Sequence, residues 1–400
     1  MYNVRNVTRD IVWIGASERR LALFENIFPI PRGVSYNSYV LLDEKTVLFD
    51  TVDASVAGQF FENLEYVLGE RALDYLVVNH MEPDHCAMIG DIVRRYPEVQ
   101  IVGNAKTFGM MQQFFGTSFA ERAVTVKEGE TLNTGNHTLH FMMAPMVHWP
   151  ETMVSYDETD KVLFSADGFG TFGALNGNIF ADELEFDREW LADARRYYTN
   201  IVGKYGASVQ ALLKKAAGLE IAVICPLHGP VWREDLDYIL EKYQKWSTYE
   251  AEEQAVAILY ASMYGNTASA ADALAGALAE RGVRNIAVYD VSNMHVSELI
   301  SEIFRVSHLV FATPTYNGGI YPVMENLFAD MKALNVQKKT VALMENGTWA
   351  AATVKQMREK LAEMKDMTVL DAQVTVKSAM LSDQSAELLA LADAVAESLK

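Results

Sequence analysis

Short apolar runs separated by polar turns fill the first part of the chain. Residues 35–42 (Ser-Tyr-Asn-Ser-Tyr-Val-Leu-Leu) and 46–50 (Thr-Val-Leu-Phe-Asp) flank the turn Asp43-Glu44-Lys45, which predicts a hairpin. Further strand-like runs cover 75–78, 100–103, 138–143, 162–165 and 221–224, and helical periodicity covers 56–68, 87–95, 185–202 and 208–217. Strands and helices mixed in this way predict an α/β fold of layered sheets with helices outside. A polar stretch over 242–250 closes this region, and the apolar run 255–260 opens the next. There strand-like runs at 286–291, 308–313, 340–345 and 367–376 alternate with helical patterns, the first of which spans 268–281. Five strands joined by crossover helices predict a doubly wound parallel sheet. The reading is therefore two domains, 1–253 and 254–400.

Composition narrows the class. Half of the 400 residues are hydrophobic and 22% are charged, a globular balance. The net charge of −19 argues against nucleic acid as a partner, because neutralising phosphate needs a basic face. The acidity is uneven: residues 254–400 carry −4 and the rest −15. No apolar run has the length of a membrane span and the amino terminus opens no signal peptide, so a soluble, cytoplasmic protein with no membrane partner is expected. Cys86 and Cys225 are the only cysteines, which excludes a disulfide framework and fits a reducing compartment.

The densest chemistry lies in Asn79-His80-Met81-Glu82-Pro83-Asp84-His85, directly after the run 75–78. Four metal-capable side chains within six residues, two of them carboxylates and none a thiolate, suit iron or manganese at least as well as zinc. Three further candidates follow other strand-like runs: His148, Asp167 and His228. Seven ligands overfill one metal site and fit two, with one carboxylate bridging and open positions left for substrate. The other four histidines, His137, His140, His295 and His308, read as surface or hydrogen-bonded core residues. Cys86, adjacent to His85, reads as structural, because two successive backbone positions aim poorly at one ion. Tyr197 and Tyr198, on a helical stretch, either reach the metal pocket or pack within the helix layer.

The pattern His-x-Glu-x-Asp-His followed by His148, Asp167 and His228 resembles the metallo-β-lactamase fold as it occurs in flavodiiron proteins. Lactamase-fold hydrolases typically carry His where this chain has Glu82, and that exchange shifts the preference toward iron. The resemblance implies His80, Glu82 and His148 on one iron, Asp84, His85 and His228 on the other, and Asp167 bridging. Cys86 stands where the family commonly has a small hydroxyl residue, which leaves every ligand position intact.

The second half supplies an independent test. Ser262-Met263-Tyr264-Gly265-Asn266-Thr267 joins a strand to a helix and gathers hydroxyl and N–H donors into an anion site. It lacks the lysine of a nucleoside triphosphate loop and suits the single phosphate of a mononucleotide. Two more loops end predicted strands: Thr313-Pro314-Thr315-Tyr316-Asn317-Gly318-Gly319 and Glu345-Asn346-Gly347-Thr348-Trp349. Each pairs glycine, for close backbone approach, with an aromatic able to stack on a ring. In this order the three loops resemble the FMN site of flavodoxins. The whole resemblance is to a metallo-β-lactamase-like αββα sandwich followed by a flavodoxin-like doubly wound five-stranded parallel sheet. With no cysteine pairs after the flavodoxin-like part, the two-domain form without a fused rubredoxin is expected.

What the resemblance implies about activity is reduction of O₂ to water, of NO to N₂O, or both, at a non-haem diiron centre supplied with electrons through FMN. The electron donor would be rubredoxin, a reduced deazaflavin or a similar carrier. Within one subunit of the family the flavin and the irons lie too far apart for efficient transfer. A head-to-tail homodimer, or a tetramer built from such dimers, is therefore implied, with Trp349 near the interface between cofactors. The rival reading is a zinc-dependent lactamase-fold hydrolase fused to a flavodoxin module, against which Glu82 argues. A third reading, an electron carrier with a vestigial metal site, fits poorly with seven intact ligand positions.

Overall fold

Two antiparallel-edged sheets face one another in the first part of the computed structural model, which describes residues 1–400 except the side chain of Asp383. The first sheet has seven strands in the order Arg5–Asn6, Ile11–Trp13, Tyr39–Leu42, Thr46–Phe49, Tyr75–Val77, Gln100–Gly103, Ala123–Thr125. The second has five: Thr131–Asn133, Thr138–Met143, Met153–Asp157, Val162–Phe164, Val223–Cys225. Their inner faces meet in one core, with Ile11, Trp13, Tyr39, Phe49 and Val77 from the first sheet against Phe141, Met153, Phe164 and Cys225 from the second. The Phe49 and Phe164 rings stack across the seam with centroids 3.7 Å apart. Helices such as Ala57–Leu68 and Ala105–Phe115 flank the strands, completing the αββα layering.

The expected strand over 35–42 is broken in two. Val34–Tyr36 pairs with Ala16–Glu18 in a separate ribbon, while Tyr39–Leu42 pairs with Thr46–Phe49 as anticipated. The break is at Asn37, whose side chain is buried and fully engaged. Its Oδ1 accepts from Trp13 Nε1 at 2.9 Å, and its Nδ2 donates to the carbonyls of Pro226 and Gly229 at 2.9 and 2.8 Å. A polar residue with those partners inside the sandwich cannot continue a strand ladder. Helical periodicity over 185–202 likewise resolves into shorter pieces, Phe186–Glu189 and Leu191–Tyr197 followed by a wider turn over Tyr198–Val202.

The second compact unit contains Thr199–Gly206 and Gln244–Lys400, so residues 244–253 group with it rather than with the sandwich. Tyr249 explains the grouping: its ring joins the second unit's core and its hydroxyl donates to Gly203 O at 2.9 Å while accepting from Asn335 Nδ2 at 3.0 Å. The sheet runs Ala287–Asp290, Glu253–Tyr260, Val306–Tyr316, Thr340–Asn346, Thr368–Val376, all parallel. In chain order this is 2-1-3-4-5, the flavodoxin arrangement, with its ligand crevice at the reversal beyond the carboxyl ends of the first and third strands. The two-residue strand Gly319–Ile320 folds back on Val306–Tyr316. Apolar residues fill both faces of the sheet, as parallel sheets require.

Candidate metal centre and mononucleotide cleft

The strand Tyr75–Val77 ends at Asn79, and the next six residues are held from three sides. Asp50 accepts from Asn79 N, Asn79 Nδ2 and His80 N at 2.7, 2.9 and 3.1 Å. Glu82 is extended backbone, and Pro83 then starts a single helical turn, Pro83–Cys86, which carries Asp84 and His85. Proline at the first helical position explains why the turn starts there. Thr51 anchors that turn by donating twice to His85 O, from its N and Oγ1 at 2.8 and 2.7 Å.

The remaining candidate ligands come from the second sheet. His148 follows Thr138–Met143, Asp167 follows Val162–Phe164, and His228 follows Val223–Cys225. Gly229 is required where it stands: its φ is +75° and a Cβ there would lie 2.1 Å from Thr171 Cγ2. All seven candidates meet in two groups. In the first, Nε2 of His80 and of His148 each lie 3.1 Å from Asp167 Oδ2, and 3.3 and 2.9 Å from Glu82 Oε2. In the second, Nε2 of His85 lies 3.4 Å from Asp84 Oδ2 and 3.2 Å from Asp167 Oδ1, and His228 Nε2 lies 3.3 Å from Asp84 Oδ2. The two imidazoles of this group approach to 3.0 Å, Nε2 to Nε2.

These spacings are those of ligands around ions. Bonds of roughly 2.1 Å place ligand atoms roughly 3.0 Å apart at right angles and roughly 3.4 Å apart at tetrahedral angles. Asp167 gives one oxygen to each group, which is the geometry of a bridge. Both oxygens of Asp84 and both of Asp167 are buried without a hydrogen-bond donor. Buried carboxylates left so cost several kcal/mol unless a cation meets them, so the residues present fit two metal ions. The electrostatics agree. Burial drives the His148 imidazole toward neutrality, yet the facing carboxylates of Asp167 and Glu82 push its pKa up to about 9. Burial would raise Asp167, but His80 and His85 hold its carboxyl well below the usual range.

Sequence reasoning missed the residues that aim these ligands. Glu151, fully buried, accepts from His80 Nδ1 and from Met81 N, both at 2.9 Å. Ser35 O accepts from His228 Nδ1 at 2.7 Å. Both contacts turn Nε2 toward the facing carboxylates of Asp167, Glu82 and Asp84. Neither was visible beforehand, because the spacing of 71 or 193 residues carries no local pattern. Glu25, on an exposed turn, also points inward; burial and then the neighbouring Glu82 push its pKa up to about 8. Aromatic rings wall the ligands: Phe24, Tyr36 and Tyr197 lie 5.5, 5.7 and 5.4 Å from the His228 ring, and Trp149 lies 5.4 Å from that of His80. Tyr197 thus borders the metal pocket, whereas Tyr198 packs on Tyr243 at 5.0 Å. The Cys86 thiol donates to Met81 O at 3.1 Å, and its pKa is pushed up to about 12 by burial.

The second unit carries a cleft of about 400 Å³ at the carboxyl ends of its strands. Ser262, Met263, Tyr264, Asn266, Thr267, Pro314, Thr315, Asn317, Gly318, Asn346, Gly347, Thr348 and Trp349 line it, joined by Ala350 and Ser378, which the sequence reading did not include. Gly265, Tyr316 and Gly319 shape the same loops without lining the cleft. The helix Asn266–Glu280 opens on it with Gly265 at φ +90°, no acidic residue in its first turn and no side-chain cap. Its free N–H groups and positive dipole end fit a phosphate. Trp349 and Tyr264, each 92% exposed, offer two aromatic faces for a flat ring. Gly347 permits the tight loop, since a Cβ there would lie 2.7 Å from Ala351 backbone atoms.

Two expected cofactor contacts lie elsewhere. Thr313 is fully buried beneath the loop, and Glu345 is buried and turned away. Glu345 accepts from Val354 N at 2.8 Å and Thr375 Oγ1 at 3.0 Å, capping the helix Thr353–Ala362 from a neighbouring strand. Its period along the strand, one residue before Asn346, puts it on the opposite face.

Comparison with known proteins agrees with this division. Residues 34–229 match the ODP family beta lactamase model and residues 258–389 match the flavodoxin model. The chain is 30% identical over 362 residues to the anaerobic nitric oxide reductase flavorubredoxin of Escherichia coli O1:K1, covering 89% of this chain and 75% of that one. Among solved structures, rubredoxin:oxygen oxidoreductase from Desulfovibrio gigas superposes with a TM-score of 0.91 at 28% identity, over 99% of this chain and 98% of the other. The flavodiiron protein of Giardia intestinalis shares the fold, with a TM-score of 0.91 at 23% identity, covering 100% of this chain and 98% of that one.

Proposed function

Because the chain belongs to the flavodiiron family, with FMN and a diiron centre as its cofactors, we propose that it reduces O₂ to water, NO to N₂O, or both. The observation that carries this reading is Glu82, whose Oε2 sits 2.9 Å from His148 Nε2 and 3.3 Å from His80 Nε2, where a hydrolase of this fold would use a third imidazole. A hard, anionic oxygen at that corner favours iron and its higher oxidation states over zinc. When bound, two irons supply redox binding of a small diatomic, and FMN supplies electrons to them.

The chain's own residues set the conditions. Asp167 holds the two ligand groups at one carboxylate's width. Glu151 and Ser35 fix the tautomers of His80 and His228, so that Nε2 of each is the free lone pair. The rings of Phe24, Tyr36, Trp149 and Tyr197 pack beside the imidazoles of His228 and His80 and give the ligands apolar neighbours. In the second unit the helix N-terminus of Asn266–Glu280 would hold the phosphate of FMN, and Trp349 and Tyr264 would offer faces to its ring. The exposure of those two rings supports a head-to-tail homodimer in which Trp349 of one subunit approaches the metal pocket of its partner. The donor is a rubredoxin-type or reduced deazaflavin carrier, and the protein works in the cytoplasm. No helix among the described residues is long and apolar enough to cross a membrane.

Metal and flavin analysis of protein grown with iron, followed by stopped-flow mixing of the fully reduced protein with O₂ and separately with NO, tests the proposal. About two irons and one FMN per chain with rapid reoxidation by either gas is the expected result. Zinc in the site with thioester or lactam hydrolysis would overturn it, and so would flavin oxidation without gas consumption. Full turnover by a monomer would overturn the dimer.

A further inference from the structure

His137, which reads from sequence as a structural histidine, sits at the start of the strand Thr138–Met143, whose other end leads to His148. It therefore lies at the sandwich end opposite the diiron ligands. Four turns converge there. Asp43, in the turn between Tyr39–Leu42 and Thr46–Phe49, accepts from Thr134 Oγ1, Asn136 N, Asn136 Nδ2 and His137 N at 2.7 to 3.0 Å, which fixes the turn that carries His137. Asp157, fully buried, accepts from Thr159 N, Asp160 N and His137 Nδ1 at 3.3, 3.0 and 3.0 Å. An ionised carboxylate can only accept, so Asp157 holds a proton on Nδ1 and leaves Nε2 as the nitrogen that can take a metal ion or a second proton.

That nitrogen has no hydrogen bond within the protein and keeps a narrow opening to solvent, in a residue that is 2% exposed. Asp10 Oδ2 stands 3.6 Å from it, beyond hydrogen-bonding distance, and ligand atoms of Asp10, His137 and Asp160 all lie within 4.8 Å of one another. Thr8 links the two carboxylate arms: its Oγ1 donates to Asp160 Oδ2 at 2.5 Å and accepts from Asp10 N at 3.3 Å. An imidazole nitrogen beside two carboxylates is a place for a positive charge, carried either by a metal ion or by a proton. A carboxylate–imidazole pair with the second nitrogen directed at further carboxylates is how metal-binding histidines are oriented.

We propose that Asp10, His137 and Asp160 form a third metal site, separate from the diiron centre, that takes a divalent ion of the zinc class and pins four turns of the sandwich together. One imidazole and two carboxylates with water completing the shell suits zinc, at bond lengths of roughly 2.0–2.2 Å. Asp10 and Asp160 are half-buried turn residues whose side chains can rotate to close around an ion. The competing occupant is a proton, which would make His137 an imidazolium between carboxylates.

The test uses the holoprotein with irons and FMN in place, titrated with zinc chloride by calorimetry, with zinc and iron per chain measured after gel filtration. Uptake of one zinc per chain at unchanged iron content is expected. The Asp10→Asn/Asp160→Asn double variant, altered only at half-exposed turns far from the diiron ligands, should bind that zinc at least about tenfold more weakly, at unchanged gas reduction. His137→Gln should do the same. Equal zinc uptake by wild type and the double variant would overturn the proposal. So would uptake only in exchange for iron, or no uptake at millimolar zinc, the result a protonated His137 gives.

Discussion

Glu151 Oε1 stands 2.9 Å from His80 Nδ1, and both side chains are wholly buried. That one contact decides which nitrogen of His80 faces Asp167 and Glu82.

Glu151→Gln should therefore loosen one metal more than the other. The amide can donate as well as accept, so it no longer fixes the Nδ1 proton. Losses on the order of 10- to 100-fold in affinity follow from removing such a partner. Iron content after timed exposure to a chelator would measure it, and equal retention of both irons in wild type and variant would refute the assignment.

Glu82→His should convert the centre toward the hydrolase ligand set. Grown with equal iron and zinc, the variant is expected to shift its metal content from iron to zinc and to lose gas reduction. An unchanged iron fraction would show that this corner does not set metal preference.

Asn266→Asp places a negative charge in the first turn of the helix that faces the cleft. Repulsion of phosphate at that position should weaken FMN by about 1–2 kcal/mol while leaving riboflavin nearly unaffected. Fluorescence titration of the apoflavin protein with each ligand makes the comparison. Equal losses for both would place the phosphate elsewhere.

Lys339 gives the second unit a stability that depends on pH. Burial pulls its pKa down to about 7, only partly opposed by the negative charge of Glu252, while Nζ donates to the carbonyls of Phe304 and Val306 at 3.2 and 2.7 Å. The unfolded chain keeps that proton up to roughly pH 10.4. Between those values the unfolded state binds more protons, so stability rises with pH, by at most about 1.4 kcal/mol per unit. Below about pH 7 the cost of the buried ammonium is fully present. Lys339→Met should flatten the rise of the urea midpoint of flavin release between pH 7 and 10; parallel curves for the two proteins would exclude Lys339 as its source.

The elements that position the site were legible wherever chemistry was packed into few residues. His80 to His85 announced themselves by density, and the glycine-bearing loops of the second unit by their place after apolar runs. Reading failed where a fold contact replaced a pattern. Met153–Asp157, a buried strand, went unread because Ser155 and Asp157 interrupt its apolar run; both are satisfied inside, Ser155 by donating to Asn79 Oδ1 at 2.7 Å. Glu345 looked like a cleft residue because it adjoins Asn346, but the pleat turns neighbours to opposite faces. Glu151 and Ser35 could not be read at all, since what they do exists only once the two sheets have met.

That the candidate metal ligands come from both sheets has a consequence for how long the protein survives. Residues 80–85 hang from the seven-stranded sheet, and His148, Asp167 and His228 from the five-stranded one. Ions held between them would act as rivets across the seam, since whatever binds only the closed sandwich stabilises it in proportion to the logarithm of its free concentration. Iron supply would then govern not only how much of this protein is active but how much of it escapes unfolding and proteolysis, with cells short of iron losing the chain itself.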